Sequence, residues 1–200
     1  MGSSSGKPVL REEDVLALAK SGGIDVGEVQ EDFEAFLLEN PSGKMKPKDF
    51  RKILIKAVPK LNGSKMEKHV FRMFDSDKDG LVDFTEFMTI FHIMAEGSPE
   101  EVLTRIFLLF DVNGDGFISK KEMCQLIKSM YGLLKLDNPN IAAQDVIAKT
   151  AFAEMDKNED GKVTKEEFVM ACMGQQEISE MLSLKILDID LQMLTNYQAK

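Results

Sequence analysis

Apolar residues recur at helical spacing along this chain in blocks, and short acidic, glycine-bearing stretches separate the blocks. The segment MEKHVFRMF begins one such block, and Ser64 with Glu67 predicts a capping box before it. A second box is predicted at Ser98-Pro99-Glu100-Glu101, with proline at the first helical position, and Gly97 marks the break just ahead of it. Ser119 with Glu122 and Thr164 with Glu167 repeat the same spacing. A longer connection is expected over 132–140. The last segment, 175–200, is amphipathic through Ile178, Met181, Leu182, Leu184 and Ile186.

Three of the acidic stretches are twelve-residue windows: 75–86, 111–122 and 156–167. Each places oxygen side chains at the first, third, fifth, ninth and twelfth positions and glycine at the sixth. That is the EF-hand calcium loop. Asp75, Asp111 and Asp156 open the loops; Asp77, Asn113 and Asn158 stand third; Asp79, Asp115 and Asp160 stand fifth. The seventh-position ligands are expected to be the backbone carbonyls of Leu81, Phe117 and Lys162. The ninth-position side chains Asp83, Ser119 and Thr164 act directly or through water. Glu86, Glu122 and Glu167 close the loops. A twelfth-position glutamate chelates calcium with both oxygens, and here each also begins the helix that follows. The window at 75–86 carries five carboxylates, which attract the ion and repel one another. Magnesium can occupy such sites in the calcium-free state.

EF-hands pair, and one repeat before Asp75 lies a fourth window, 38–49. Gly43 is its sixth residue and Met45 its apolar eighth. Leu38 stands where the first ligand should be, Pro41 is fourth, and Lys44, Lys46 and Lys48 surround the site. A hard dication needs several anionic or carbonyl oxygens, so this loop is expected to keep the fold and lose the metal. The predicted fold is all-α: four EF-hands in two paired lobes, with short antiparallel β-links between paired loops. Met45 should face Val82, and Ile118 should face Val163. The expected organisation is an N-terminal arm over 1–24, one pair over 25–96, a second over 98–174, and a helical tail over 175–200.

Composition narrows the function classes. The net charge of −9 would fall to about −3 with three bound dications, and nucleic acid is not an expected partner. No apolar run reaches the length of a membrane span. Two cysteines, Cys124 and Cys172, both in helical patterns, fit a reduced cytoplasmic setting. His69 and His92 show no HExxH spacing, and no phosphate-loop or nucleophile motif is present, so an enzyme is not expected. The 13 Met and 13 Phe suit either ordinary cores or a surface that repacks around a partner.

The chain resembles the neuronal calcium sensor family: recoverin, visinin-like proteins, frequenin and the guanylate cyclase activating proteins. The resemblance rests on NPSG at 40–43 before KMKPKDF, HVFRMFD at 69–75, VDFTEF at 82–87, DGFISKKEM at 115–123 and DGKVTKEEF at 160–168. In that family a Cys-Pro-Ser-Gly stretch disables the first loop; Pro41, Ser42 and Gly43 match it, and Asn40 replaces the Cys. The resemblance implies a calcium sensor whose first two repeats form an apolar groove for the amphipathic helix of a target protein, whether kinase, cyclase, channel or motor. Groove candidates are Phe33, Phe36, Ile53, Phe71, Phe74, Phe87 and Phe91. It also implies a myristoyl group on Gly2 that holds the protein peripherally at a membrane. Gly6 stands where serine or threonine is preferred, and a start of MGSSSGKP also reads as an expression scar. Asp32-Phe33 lacks the family's tryptophan, and Glu31, Asp32 and Glu34 make this helix more acidic than usual, which favours basic targets. The tail is expected either in the groove or on the second lobe. The alternatives are a calcium buffer, a calcineurin B-like subunit, or a flagellar dynein-associated subunit.

Overall fold

Acidic residues at its start and a lysine at its end favour a helix at the beginning of the described chain. A computed structural model describes residues 7–57, 59, 66–134 and 141–175. Its first element is α1 (Glu12–Gly22), with Glu12, Glu13 and Asp14 in the first turn and Lys20 in the last, complementing the helix dipole. This helix lies within the segment read as an arm. It buries Val15 and Leu18 against α5 (Phe84–Glu96). Gly2, Ser64 and the 176–200 part of the tail lie outside the described residues.

The remaining elements alternate as the repeats require. They are α2 (Val26–Glu39), β1 (Lys44–Met45), α3 (Pro47–Ala57), α4 (Met66–Phe74), β2 (Val82–Asp83) and α5. The second half continues with α6 (Pro99–Phe110), β3 (Phe117–Ser119), α7 (Lys120–Leu134), α8 (Ile141–Met155), β4 (Lys162–Thr164) and α9 (Lys165–Gly174). The fold is all-α, with EF-hands linked by two short antiparallel strand pairs. β1 pairs with β2 so that Met45 faces Val82, and β3 pairs with β4 so that Ile118 faces Val163, the expected registers. All four of these side chains are fully buried. α7 runs on to Leu134, so the connection expected from 132 begins later.

Short polar side chains set the helix starts. Ser98 and Glu101 form the expected box, with Pro99 in the first turn of α6, and Thr164 with Glu167 caps α9. Asp25 with Glu28 caps α2, and Asp83 with Glu86 caps α5. Gly97 turns the chain from α5 into α6. It does so at an ordinary extended φ of −64°, so left-handed freedom is not why glycine stands there. A Cβ at this position would lie 2.3 Å from the Ile93 carbonyl oxygen; the residue is small because backbone passes through that space.

The core is one contiguous apolar cluster. On the first half it is a stack of aromatic rings. Phe36 meets Phe84 at 5.5 Å, Phe50 meets Phe74 at 4.9 Å, and Phe74 meets Phe87 at 5.8 Å between centroids. On the second half Phe168 packs against Phe107 and Phe110. Cys124 is half-buried and Cys172 buried, and burial pushes the Cys172 thiol up to about 12, which favours its protonated form. No helix among the described residues is long and apolar enough to cross a membrane.

The halves are fastened where α4 crosses α6. Arg72 donates from Nη1 to the Val112 carbonyl at 2.6 Å and from Nη2 to Leu108 at 3.2 Å and Leu109 at 3.5 Å. These are carbonyls at and just beyond the C-terminal turn of α6, where helical partners run out and negative potential collects.

Candidate metal centres

Each candidate loop is held in shape by its own acidic side chains. In 75–86 the Asp75 carboxylate accepts the Gly80 N–H at 3.1 Å, Asp77 accepts that of Asp79 at 2.9 Å, and Asp79 accepts that of Leu81 at 2.8 Å. The same ladder recurs in 111–122. Asp111 accepts from Gly114 and Asp115 through Oδ1 and from Gly116 through Oδ2; Asn113 accepts from Asp115, and Asp115 from Phe117. In 156–167 it runs through Asp156, Asn158 and Asp160 to the N–H groups of Asp160, Gly161 and Lys162. These bonds fold each loop inward and turn the Leu81, Phe117 and Lys162 backbones at the seventh position. The sharp turn puts φ at 82° for Gly80, 89° for Gly116 and 84° for Gly161, where a Cβ is strained.

The closing glutamates do two jobs at once. Glu86 Oε1 accepts from the Ser76 and Asp77 N–H groups at the loop entrance, while Oε2 accepts from the Asp83 N–H at the foot of α5. Glu122 likewise accepts from Asn113 at the entrance, and from the Ser119 N–H and hydroxyl at the foot of α7. Glu167 accepts from both groups of Thr164. The carboxylate that closes the loop is therefore part of the cap of the helix that leaves it.

The donor set fits a hard dication. Oxygens of Asp75, Asp77 and Glu86 lie within 4.8 Å of one another, and Asp75 Oδ1 is buried without a hydrogen-bond partner. A buried, unpaired anionic oxygen is costly unless something positive completes its shell. Burial raises the Asp75 carboxyl above its ordinary range, and Asp79 and Asp77 add to that shift against the Gly80 N–H. Burial also raises Glu86, against the pull of the backbone N–H groups it accepts. Asp111, Glu122 and Asp156 are buried as well. Asn113 and Asn158 turn their amides onto Asp115 and Asp160.

The window at 38–49 is built differently. Asn40 is buried and donates to the Phe36 carbonyl, so it closes α2 instead of facing a metal, and Leu38 is 84% exposed. Its Lys44 forms an ion pair with Asp79 of the neighbouring loop. Sequence reasoning missed this pair. It also missed Arg72 and Lys78, whose ammonium donates to the Gly114 carbonyl at 3.2 Å. Burial lowers the Arg72 guanidinium, and the Asp111 and Glu122 carboxylates work against that shift.

Of the groove candidates, Phe36, Ile53, Phe74, Phe87 and Phe91 are buried, and Phe33 and Phe71 pack against the core partly exposed. They lie on α2, α3, α4 and α5, and the rings touch one another directly: Phe33 on Phe84, Phe36 on Phe87, Phe71 on Phe50.

An EF-hand domain pair matches residues 100–173, and a single EF-hand domain matches residues 68–94. The chain is an EF-hand protein carrying calcium-binding repeats. It is 29% identical over 186 residues to the guanylyl cyclase inhibitory protein of Lithobates pipiens, covering 92% of this chain and 90% of that relative. It is 28% identical over 158 residues to recoverin of Homo sapiens, covering 76% of this chain and 79% of that protein. Its homologues are thus neuronal calcium sensor proteins, as the motifs at 40–43, 69–75 and 160–168 indicated. The matched EF-hand domains span the buried carboxylates Asp75, Asp111, Glu122 and Asp156.

Proposed function

We propose that this EF-hand protein is a calcium sensor that binds three ions, at 75–86, 111–122 and 156–167, and answers by exposing the aromatic cluster of its first half to a target helix. One observation carries the reading: each closing glutamate accepts hydrogen bonds at the foot of its exit helix, and Glu86 and Glu122 also reach back to the loop entrance. Calcium supplies a positive centre that redirects these carboxylate oxygens inward. The glutamate is the first-turn residue of the exit helix, so moving it moves that helix. On the first half the helix that would move is α5, which carries Phe84, Phe87 and Phe91. Its displacement uncovers Phe36 and Phe74 beneath it.

The partner chemistry follows from the surface around the cluster. Glu28, Glu31 and Asp32 of α2 and Glu96 of α5 border a cleft whose floor includes Ile24, Met88 and Phe91. An apolar floor within an acidic border suits an amphipathic helix with basic flanks. The name of the Lithobates relative points to a cyclase as one class of target, and myristoylation at Gly2 would place the encounter at a membrane. A single acyl chain gives only marginal, reversible attachment, as a switch requires.

The test is calorimetric binding of a basic amphipathic peptide with calcium and with chelator. Binding confined to calcium, and weakened by Glu31→Lys with Glu96→Lys, is the expected result. Equal binding in both conditions would contradict calcium control of docking, and no binding in either would leave a buffer as the reading. Mass spectrometry of protein from its native source tests Gly2, with an acylated N-terminus expected.

A further inference from the structure

The metal-less first repeat does more than pair with its neighbour. β1 sets Lys44 directly opposite Asp83, the ninth residue of the 75–86 loop. From there its ammonium reaches the Asp79 carboxylate, the fifth residue of the same loop, and forms an ion pair with it. Asp77 and Asp83 add to the field that holds the Lys44 charge. The loop so approached carries five side-chain carboxylates among its ligand positions, against three in each of the others, where Asn113, Ser119, Asn158 and Thr164 take the remaining places. The loop with the greatest internal repulsion is the one that receives a lysine from outside.

We propose that Lys44 is a tethered counter-ion of the 75–86 loop, an affinity-setting residue through which the first repeat competes with calcium at the second. This rests on the reading that 75–86 takes calcium. The lysine cannot coordinate the ion. It neutralises part of the carboxylate cluster while the ion is away, and it must give up Asp79 when the ion arrives. Both effects weaken binding at that loop and leave 111–122 and 156–167 untouched. The side chains of Lys44 and Asp79 are 41% and 31% exposed, so salt screens the competition.

The test is a calcium titration of the full chain followed by the amide resonances of Gly80, Gly116 and Gly161. Each of these N–H groups donates to the first carboxylate of its own loop and so reports that loop alone. Lys44→Gln should lower the Gly80 midpoint about three- to tenfold at low salt, with the Gly116 and Gly161 midpoints unchanged. Lys44→Arg should keep the wild-type midpoint, and about 0.5 M salt should shrink the difference between Gln and Lys. Because the Lys44 side chain is not in the core, and its strand position needs only its backbone, Lys44→Gln is expected to keep the fold; the unchanged Gly116 and Gly161 signals verify this. A Gly80 signal that moves in wild type with the same midpoint in Lys44→Gln overturns the proposal alone. A Gly80 signal silent in wild type and restored in Lys44→Gln supports it in its strongest form. Silence in both proteins overturns the proposal together with the reading of 75–86 as a calcium site.

Discussion

Three glutamates at equivalent places, Glu86, Glu122 and Glu167, carry the account at the scale of the residue. Each has one oxygen against the cap of its exit helix. Replacing any of them with glutamine keeps the size, removes the charge and leaves one accepting oxygen where the carboxylate has two. Each single variant should therefore lose one calcium from a stoichiometry of three, read by isothermal titration calorimetry; three ions bound by all three variants would remove these residues from the metal sites. The histidines make a different prediction. Burial holds both His69 and His92 below their ordinary value of 6.5, and each has an Nδ1 buried without a partner. Their pKa values are lower folded than unfolded, so the unfolded chain takes up these protons first as pH falls. Stability is fully present above about pH 7.5 and is lost as pH drops through about 6.5. Thermal unfolding in chelator between about pH 7.5 and 5.5 should show that decline, and His92→Gln should flatten it. A midpoint independent of pH in that window would contradict the burial of these rings.

Among the elements, the turn from α5 to α6 makes the sharpest prediction. Gly97→Ala places a methyl 2.3 Å from the Ile93 carbonyl oxygen, and that atom belongs to backbone that cannot swing aside like a side chain. The variant should lose about 1–3 kcal/mol in urea unfolding; an unchanged midpoint would show that the turn has room to spare. The sequence carried much of this level, because its determinants are local. The twelve-residue spacing placed the loops, Ser98 with Glu101 and Thr164 with Glu167 marked the starts of α6 and α9, and the eighth-position apolar residues fixed both ladder registers. The arrangement within 75–86 was legible for the same reason, since Asp75, Asp77 and Glu86, whose oxygens come together, stand at fixed positions of that spacing. What escaped were effects of distance. α1 gains its place by burying Val15 and Leu18 against a helix some 70 residues later, and the ion pair of Lys44 with Asp79 spans 35 residues. No periodicity announces a contact of that kind. The lysines of 38–49 suggest repulsion within their own loop, and nothing in their spacing points to Asp79 of the neighbouring one.

For the whole molecule, Arg72 ties the halves together, alongside Lys78 on the Gly114 carbonyl. It fills carbonyls of Leu108, Leu109 and Val112 that α6 leaves without helical partners, and it lies beside the loop that begins at Asp111. Arg72→Met keeps the aliphatic stem and removes the donors. The loss should be about 1–3 kcal/mol, the usual cost of stranding buried acceptors, with the single unfolding transition broadening as the halves part company. An unaltered transition would mean that apolar packing between α4 and α6 suffices.

Calcium-linked exposure of the Phe36, Phe74 and Phe87 cluster is the central claim, and fluorescence of an apolar dye titrated against the full chain with calcium and with chelator measures it directly. A rise in dye binding that saturates as the three loops fill, and that Glu86→Gln suppresses, is the predicted result; dye binding that stays the same from chelator to saturating calcium would contradict it.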